Sequence, residues 1–377
     1  MKKILFLFLG ALLSTMTAWA TEGDVFAVGN LKYRVTSESQ QTVEFVGFTT
    51  DPSGALEIPA TVSYKGKDYS MTGIFIYAFS DKDVIHTGTL HDSDELTCDG
   101  ITSIALPSTM SDMVGNVFVY CRNETSITVD PGNAKYSSKD GVLFDNSGKT
   151  LIAYPSGRNE ASYTIPDGVT DIDHQAFCGN LNLKSVTIPA SVSTFRGGCF
   201  NGCTGLTSVV FAAGSQLKSI GNDSFWNCMN LSSITIPDGV TSIGNFAFYG
   251  CGGLASITIP ASVTSLGENP FYYCEVLAHI YCYANPETLT WTDNVTRPAK
   301  SKSTRCHVKG DVKVWETKFP TVNVTFVGDL DHYETGIKSL APDTPDGAWY
   351  TLDGMKLEGE PTTPGVYVKD GKKMIIK

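Results

Sequence analysis

A phrase ending in "TIP" or its equivalent returns at Pro166, Pro189, Ala212, Pro237 and Pro260, at intervals of 23, 23, 25 and 23 residues. A period this tight constrains the fold more than composition can. Counted from that position, an apolar residue stands six places on (Ile172, Phe195, Ile243, Leu266), a Phe at eleven (Phe177, Phe200, Phe248, Phe271) and a Leu at seventeen (Leu183, Leu206, Leu254, Leu277). The unit that begins at Ala212 carries two extra residues, which shift Ile220, Phe225 and Leu231 by two. The frame extends leftward to Pro107, with Met113, Phe118, Cys121 and then Asp130 in the next Pro position. Further left, Pro59 starts a unit whose Ile74, Phe79, Cys98 and Ile101 fit once two insertions are allowed.

An apolar slot recurring at this interval means that no unit can enclose its own face, so neighbours must stack into one continuous core. The expected architecture is therefore a solenoid. Tracts such as "SVTIP", "SITIP" and "TSIG" are rich in Val, Ile and Thr and alternate inward and outward residues, which predicts short strands pairing in parallel with the next coil about 4.8 Å away. The Pro ends each strand, and the following "DG" or "AS" turns the chain. The glycines after Ile220, Ile243 and Leu266 are expected to bend sharply at positive φ. Between Asp130 and Pro166, "KDG" and "NSGK" mark tight turns in an inserted, hairpin-like excursion.

The first twenty residues read as an export signal: Lys2 and Lys3, the apolar run "ILFLFLGALL", and "AWA" ending at Ala20. The run is too short to span a bilayer, and no other long apolar stretch exists, so no transmembrane segment is expected after signal removal. With 28 Lys and Arg against 39 Asp and Glu, the chain is acidic, which disfavours nucleic acid as a partner.

The recurring "IPDGVTSIGNFAFYGCGGLASITIP" resembles the BspA-like class of bacterial leucine-rich repeats. The opening "VGNLKYRVTSESQQTVEFVGF", the insert "YSSKDGVLFDNSGKTLIAYPSG" and the stretch "CHVKGDVKVWETKFP" resemble that family's start, hairpin insert and terminal cap. The resemblance implies a mostly β, right-handed leucine-rich-repeat solenoid, an exported protein at the bacterial cell surface, and adhesive binding to host or neighbouring-cell ligands. It implies no catalytic residues. The end of the chain, "AWYTLDGMKLEGEPTTPGVYVKDGKKMIIK", resembles C-terminal tails of exported proteins from the same bacterial group, some of which are sorting signals; a plain stabilising hairpin is the alternative.

The chain accordingly divides into a signal peptide (1–20), an N-terminal β cap (21–58), the solenoid (59–283) with insertions near 64–72, 80–95 and 131–160, a C-terminal cap (284–330), a linker (331–347) and a β tail (348–377). Ten cysteines in an exported chain first suggest disulfides. Yet Cys98, Cys121, Cys203, Cys228, Cys251 and Cys274 share one slot, three after the Phe, with Leu181 assigned to it in the remaining unit. Cβ atoms one coil apart lie about 4.8 Å from each other, beyond disulfide range, so a ladder of buried thiols is expected. Any disulfide would come from Cys178, Cys199, Cys282 and Cys306, with Cys178 and Cys199 the pair to check.

No nucleophile elbow, zinc-helix motif or phosphate loop occurs, so no catalytic residue, cofactor or metal ligand is assigned and the chain is read as non-enzymatic. His86, His91, Asp92, Asp94 and Glu95 crowd the 80–95 insertion; they are read either as a solvated loop or as a divalent-cation site. Two surfaces are candidates for binding a protein or glycan. One is a row of aromatics directly after the Phe, Trp226, Tyr249 and Tyr272, continued by Asn201 and Cys178; packing along the coil edge is its other explanation. The second is the outward face of the strands, including Thr187, Thr235 and Thr258 beside Ser185, Ser208, Val210, Ser233 and Ser256, a face that simple β propensity also accounts for. The sequence reading is thus an adhesin-like interaction protein, with a structural envelope or matrix component as the alternative and a metal-dependent protein using the insertion as a weaker one.

Overall fold

Each regular unit contributes two short strands, and each joins its own ladder. Ser185–Ile188 pairs in parallel with Ser162–Thr164 and with Ser208–Phe211, which pairs with Ser233–Ile234; the register sets Ser185 beside Ser208 and Ser208 beside Ser233. A single bridge, Thr235 to Thr258, connects this sheet to Ser256–Ile259, His279–Cys282, Arg305–Val308 and Thr325–Val327. The second ladder runs through Asp171–Ile172, Thr194–Phe195, Ser219–Ile220, Ser242–Ile243, Ser265–Leu266 and Thr290–Trp291. The result is a β-solenoid of about nine turns, only 4% helical. The computed structural model describes residues 20–79, 98–119, 121–291, 304–320, 322, 324–330, 349–351, 359–360, 365–369 and 372–376.

The repeated slots form the core. Phe177, Phe200, Phe225, Phe248 and Phe271 are fully buried and stack face to face along the solenoid, with centroids 4.7, 5.3, 5.2 and 5.7 Å apart and interplanar angles of 20° or less. Beside this spine runs the ladder of thiols. All ten cysteines are free, Cys178 and Cys199 included. Each of the four C-terminal ladder thiols donates to the carbonyl of the Phe one coil back: Cys203 to Phe177 (3.0 Å), Cys228 to Phe200 (3.1 Å), Cys251 to Phe225 (3.2 Å) and Cys274 to Phe248 (3.1 Å). The slot therefore asks for a small donor. In the unit from Pro166 it is filled by Asn180, not Leu181. Asn180 is fully buried, its amide donating to the Pro155 carbonyl (3.1 Å) and its Oδ1 accepting from the Leu183 N–H (2.8 Å). Leu181 is 53% exposed; an apolar side chain would leave that carbonyl unpaired in the core.

The glycines after Ile220, Ile243 and Leu266 owe their place to close approach, not to backbone angle. Gly221, Gly244 and Gly267 have no positive φ; a Cβ would stand 2.7 Å from the Phe195 carbonyl oxygen, 2.6 Å from the Asn222 nitrogen and 2.4 Å from the Asn245 nitrogen. The sharp bends lie elsewhere, in two columns of left-handed residues. One contains Gln175, Gly198, Asp223, Phe246 and Asn269; the other contains Gly179, Gly202, Asn227, Gly250 and Tyr273.

Residues 131–160 divide the core in two. Tyr136–Lys139, Val142–Asp145 and Thr150–Ala153 pair antiparallel and extend the second ladder at its start. Both faces of the last two strands are buried: Val142, Phe144 and Leu151 join the C-terminal core, whereas Leu143, Ile152 and Ala153 join the N-terminal one. The N-terminal core is closed by a five-stranded sheet made of Val25–Val28, Leu31–Ser37, Thr42–Phe48, Lys67–Ile74 and Thr61–Tyr64. At the other end, the helix Val312–Lys318, capped by Asp311 accepting from the Lys313 N–H (2.9 Å), buries Trp315 against Phe319 and Phe326. Trp349–Thr351, Gly365–Lys369 and Lys372–Ile376 form a separate antiparallel sheet.

Candidate functional site

A residue directly after a spine Phe leaves the core as the coil turns, and on three successive coils that residue is aromatic. Trp226 stacks on Tyr249 (4.1 Å, 18°) and Tyr249 on Tyr272 (5.5 Å, 25°). All three are half-buried. Tyr249 is stacked between Trp226 and Tyr272. Below it, Asn201 and Cys178 are also half-buried, and burial pushes the Cys178 thiol up to about 11.

Two aromatics outside the predicted row complete the patch. Phe246 lies across Trp226 and Tyr249, at 5.8 and 6.1 Å, and Tyr273 across Tyr249 and Tyr272, at 5.3 and 4.5 Å. Tyr273 is 44% exposed. Both stand in the left-handed columns, where the other coils place Gly, Asn, Asp or Gln. The signal was in "NFAFYG" and "FYYC", but it is visible only once those columns are known to be left-handed.

The outward strand face is flatter. Thr187 and Thr258 are half-buried and Thr235 is exposed. The face is broken where the unit from Ala212 holds its two extra residues: Val210 is 51% exposed, and a recess of about 490 Å³ opens between Val210, Phe211, Ser215, Thr235 and Asp238. Farther along the same sheet, the register that sets Ser256 beside His279 and His279 beside Arg305 brings a hydrogen-bonded chain onto the face. His279 Nδ1 is 2.8 Å from His307 Nε2, and His307 Nδ1 is 2.7 Å from Asp329 Oδ2. Burial, then His307 and Arg305, hold the His279 pKa below its usual value. These residues are distant in the chain and meet only through strand register, so no sequence motif marks them.

The remaining titratable groups are set up for packing. Burial raises the ladder thiols Cys203, Cys228, Cys251 and Cys274 far from the thiolate range, Cys274 to about 12. Glu124 occupies a Leu slot, fully buried, with Oε1 lacking a partner, and burial holds its carboxyl well above the usual range. Among the described residues no group of three His, Cys, Asp or Glu is arranged to hold a metal ion. The 80–95 insertion, with His86, His91, Asp92, Asp94 and Glu95, lies outside the described residues, as does the leader up to residue 19. Among the described residues no helix is long and apolar enough to cross a membrane.

Residues 152–278 match the family described as BspA type leucine rich repeat region, in six copies. Among solved structures, the chain is similar to a leucine rich cell surface protein from Faecalibacterium prausnitzii, at 21% identity over 72% of this chain and 99% of that one, with a TM-score of 0.47. A leucine-rich repeat protein from Bacteroides ovatus is 24% identical over 81% of this chain and 79% of its own, with a TM-score of 0.47. The pneumococcal vaccine antigen PcpA is 15% identical over 82% of this chain and all (100%) of its own, with a TM-score of 0.45. No curated protein matches the chain.

Proposed function

We propose that this chain is an exported, non-catalytic interaction protein that holds a protein or glycan ligand of a host or neighbouring cell against its stacked coils. The observation that carries the reading is the half-buried aromatic row of Trp226, Tyr249 and Tyr272, in register on three consecutive coils. Repeats of the BspA type over residues 152–278 support a protein-binding or cell-surface role. A solenoid suits that role because its rigid, nearest-neighbour stack repeats one surface position at a fixed spacing. The predicted leader and the adhesive behaviour implied by the family resemblance support a ligand outside the cell.

The test is binding of residues 21–377 to an array of extracellular-matrix proteins, mucins and glycans, beside a Trp226→Ala, Tyr249→Ala, Tyr272→Ala variant. Saturable binding lost in the variant, with its far-ultraviolet spectrum unchanged, is the expected result. Binding retained moves the site to the face carrying Thr187, Thr235 and Thr258. Silence across the array overturns the reading in favour of a structural envelope or matrix component.

A further inference from the structure

The left-handed columns single out two residues. In one column the other coils use Gln175, Gly198, Asp223 and Asn269; in the other they use Gly179, Gly202, Asn227 and Gly250. Phe246 (φ 53°) and Tyr273 (φ 57°) depart from this pattern with bulky rings, for which the left-handed region is a strained choice. Both strained rings lie across the same aromatic row, and nowhere else in the two columns does an aromatic occur. Strain that collects at one surface patch points to use of that patch.

Charge says what kind of partner fits. Between Lys218 and Arg297 the sequence contains no Lys or Arg, but has Asp223, Asp238, Glu268, Glu275, Glu287 and Asp293. Asp223 sits one coil below Phe246 in the same column, and burial raises its carboxyl pKa. Glu268 is paired through its backbone carbonyl to the Phe246 N–H (2.8 Å) and is exposed, as is Glu275, two residues after Tyr273. Aromatic rings bordered by carboxylates suit the guanidinium and ammonium groups of a basic segment, whose aliphatic stems lie on the rings while the heads meet the acids.

We infer that Trp226, Phe246, Tyr249, Tyr272 and Tyr273, with Asp223, Glu268 and Glu275 at their border, form a docking surface for a basic polypeptide segment of the protein's ligand. The inference rests on the interaction-protein reading above and narrows its ligand to a cationic protein. Phe246 and Tyr273 are held in a strained backbone because their rings contribute contact area that Gly or Asn cannot.

Fluorescence polarisation tests this with residues 21–377 and a labelled decapeptide of alternating Arg and Gly, beside its Glu–Gly counterpart and a neutral oligosaccharide, maltohexaose. The Arg–Gly peptide is expected to bind saturably and to weaken as salt is raised. A Phe246→Asn, Tyr273→Asn variant, which keeps side chains tolerant of left-handed backbone, should lose about tenfold in affinity with no drop in Tm. Asp223→Asn should weaken binding less and flatten the salt dependence. No binding of the Arg–Gly peptide, or equal binding of the Glu–Gly peptide or the maltohexaose, overturns the inference. So does a Tm several degrees lower in the double variant with peptide affinity intact, which would make the rings packing residues. If the ligand array is positive while the Arg–Gly peptide is silent, only the cationic partner falls; if both are silent, the interaction reading falls with it.

Discussion

The two cores on either side of the inserted strands use the same slots, but fill them with different strictness. In the C-terminal coils every spine Phe stacks nearly parallel on the next, within 20°, and every ladder thiol donates to the same carbonyl one coil back. In the N-terminal coils Phe79 meets Phe118 edge-on, at 5.1 Å and 66°. Cys98 donates to the carbonyl of Phe79 in its own unit (3.2 Å), not to that of the coil before. The Leu slot there contains Glu124. Where the period is unbroken, each side chain must suit a near-copy of itself above and below, so substitutions are costly. Insertions remove that requirement, and the slots drift.

The largest test of this contrast is Phe225→Ala, at the centre of the parallel spine, which should cost about 3–5 kcal/mol in urea unfolding. Hydrogen exchange should show the lost protection in coils C-terminal to the inserted strands, with Phe118→Ala weakening the other side; if either variant weakens both cores equally, the strands do not separate them. Gly244→Ala comes next. Its Cβ would meet the Asn222 backbone nitrogen at 2.6 Å, so a cost of about 1–3 kcal/mol is expected, whereas Gly148→Ala meets nothing within 4 Å and should lose only what its positive φ demands, about 1 kcal/mol. A Tm unchanged in Gly244→Ala would show that adjacent coils can spread apart.

Glu124→Leu should restore the regular slot and stabilise by about 1–2 kcal/mol, because it replaces a buried carboxyl with an unpartnered oxygen. The wild-type pH profile sharpens the comparison. Glu124 has a raised folded pKa, so the native state holds its proton more tightly; stability at this site is present below the usual value of 4.5 and is lost as pH rises through the folded pKa. His279 has a lowered folded pKa, so its contribution is present above the usual 6.5 and is lost as pH falls through the folded value. Acidification should therefore favour the N-terminal core and loosen the strands His279–Cys282 and Arg305–Val308. Glu124→Gln should flatten the first trend and His279→Gln the second, as read by Tm against pH; trends of the same sign would refute the assignment. The smallest effect is chemical. All ten thiols should react after denaturation and the ladder thiols not at all before it; a deficit after denaturation would mean coils are cross-linked.

Much of the fold was legible because it repeats. The spine Phe, the Leu slot and the thiol ladder were each visible several times over, so one misplaced residue did little harm. Leu181 stands one place past the slot: three residues after Phe177 is Asn180, and the Pro155 carbonyl that its amide meets is the physical reason a polar donor is kept there. The glycine reading failed because a spacing cannot distinguish a backbone angle from a close neighbour. At the candidate site the sequence pointed to Trp226, Tyr249 and Tyr272, and missed Phe246 and Tyr273, whose meaning depends on φ.

Period, apolar pattern and composition alone determined that this chain must stack into a β-solenoid, because a slot recurring every 23 residues has no other way to leave water. Tertiary structure decided what the slots exchange between coils: which carbonyl each thiol meets, which glycine faces a backbone, and that the strands of residues 142–153 wall one core from the other. It also brought His279, His307 and Asp329 into one hydrogen-bonded chain. Those contacts depend on register across coils, and hydrogen bonds and van der Waals limits act over a few ångströms in space, a distance that residue counting does not measure.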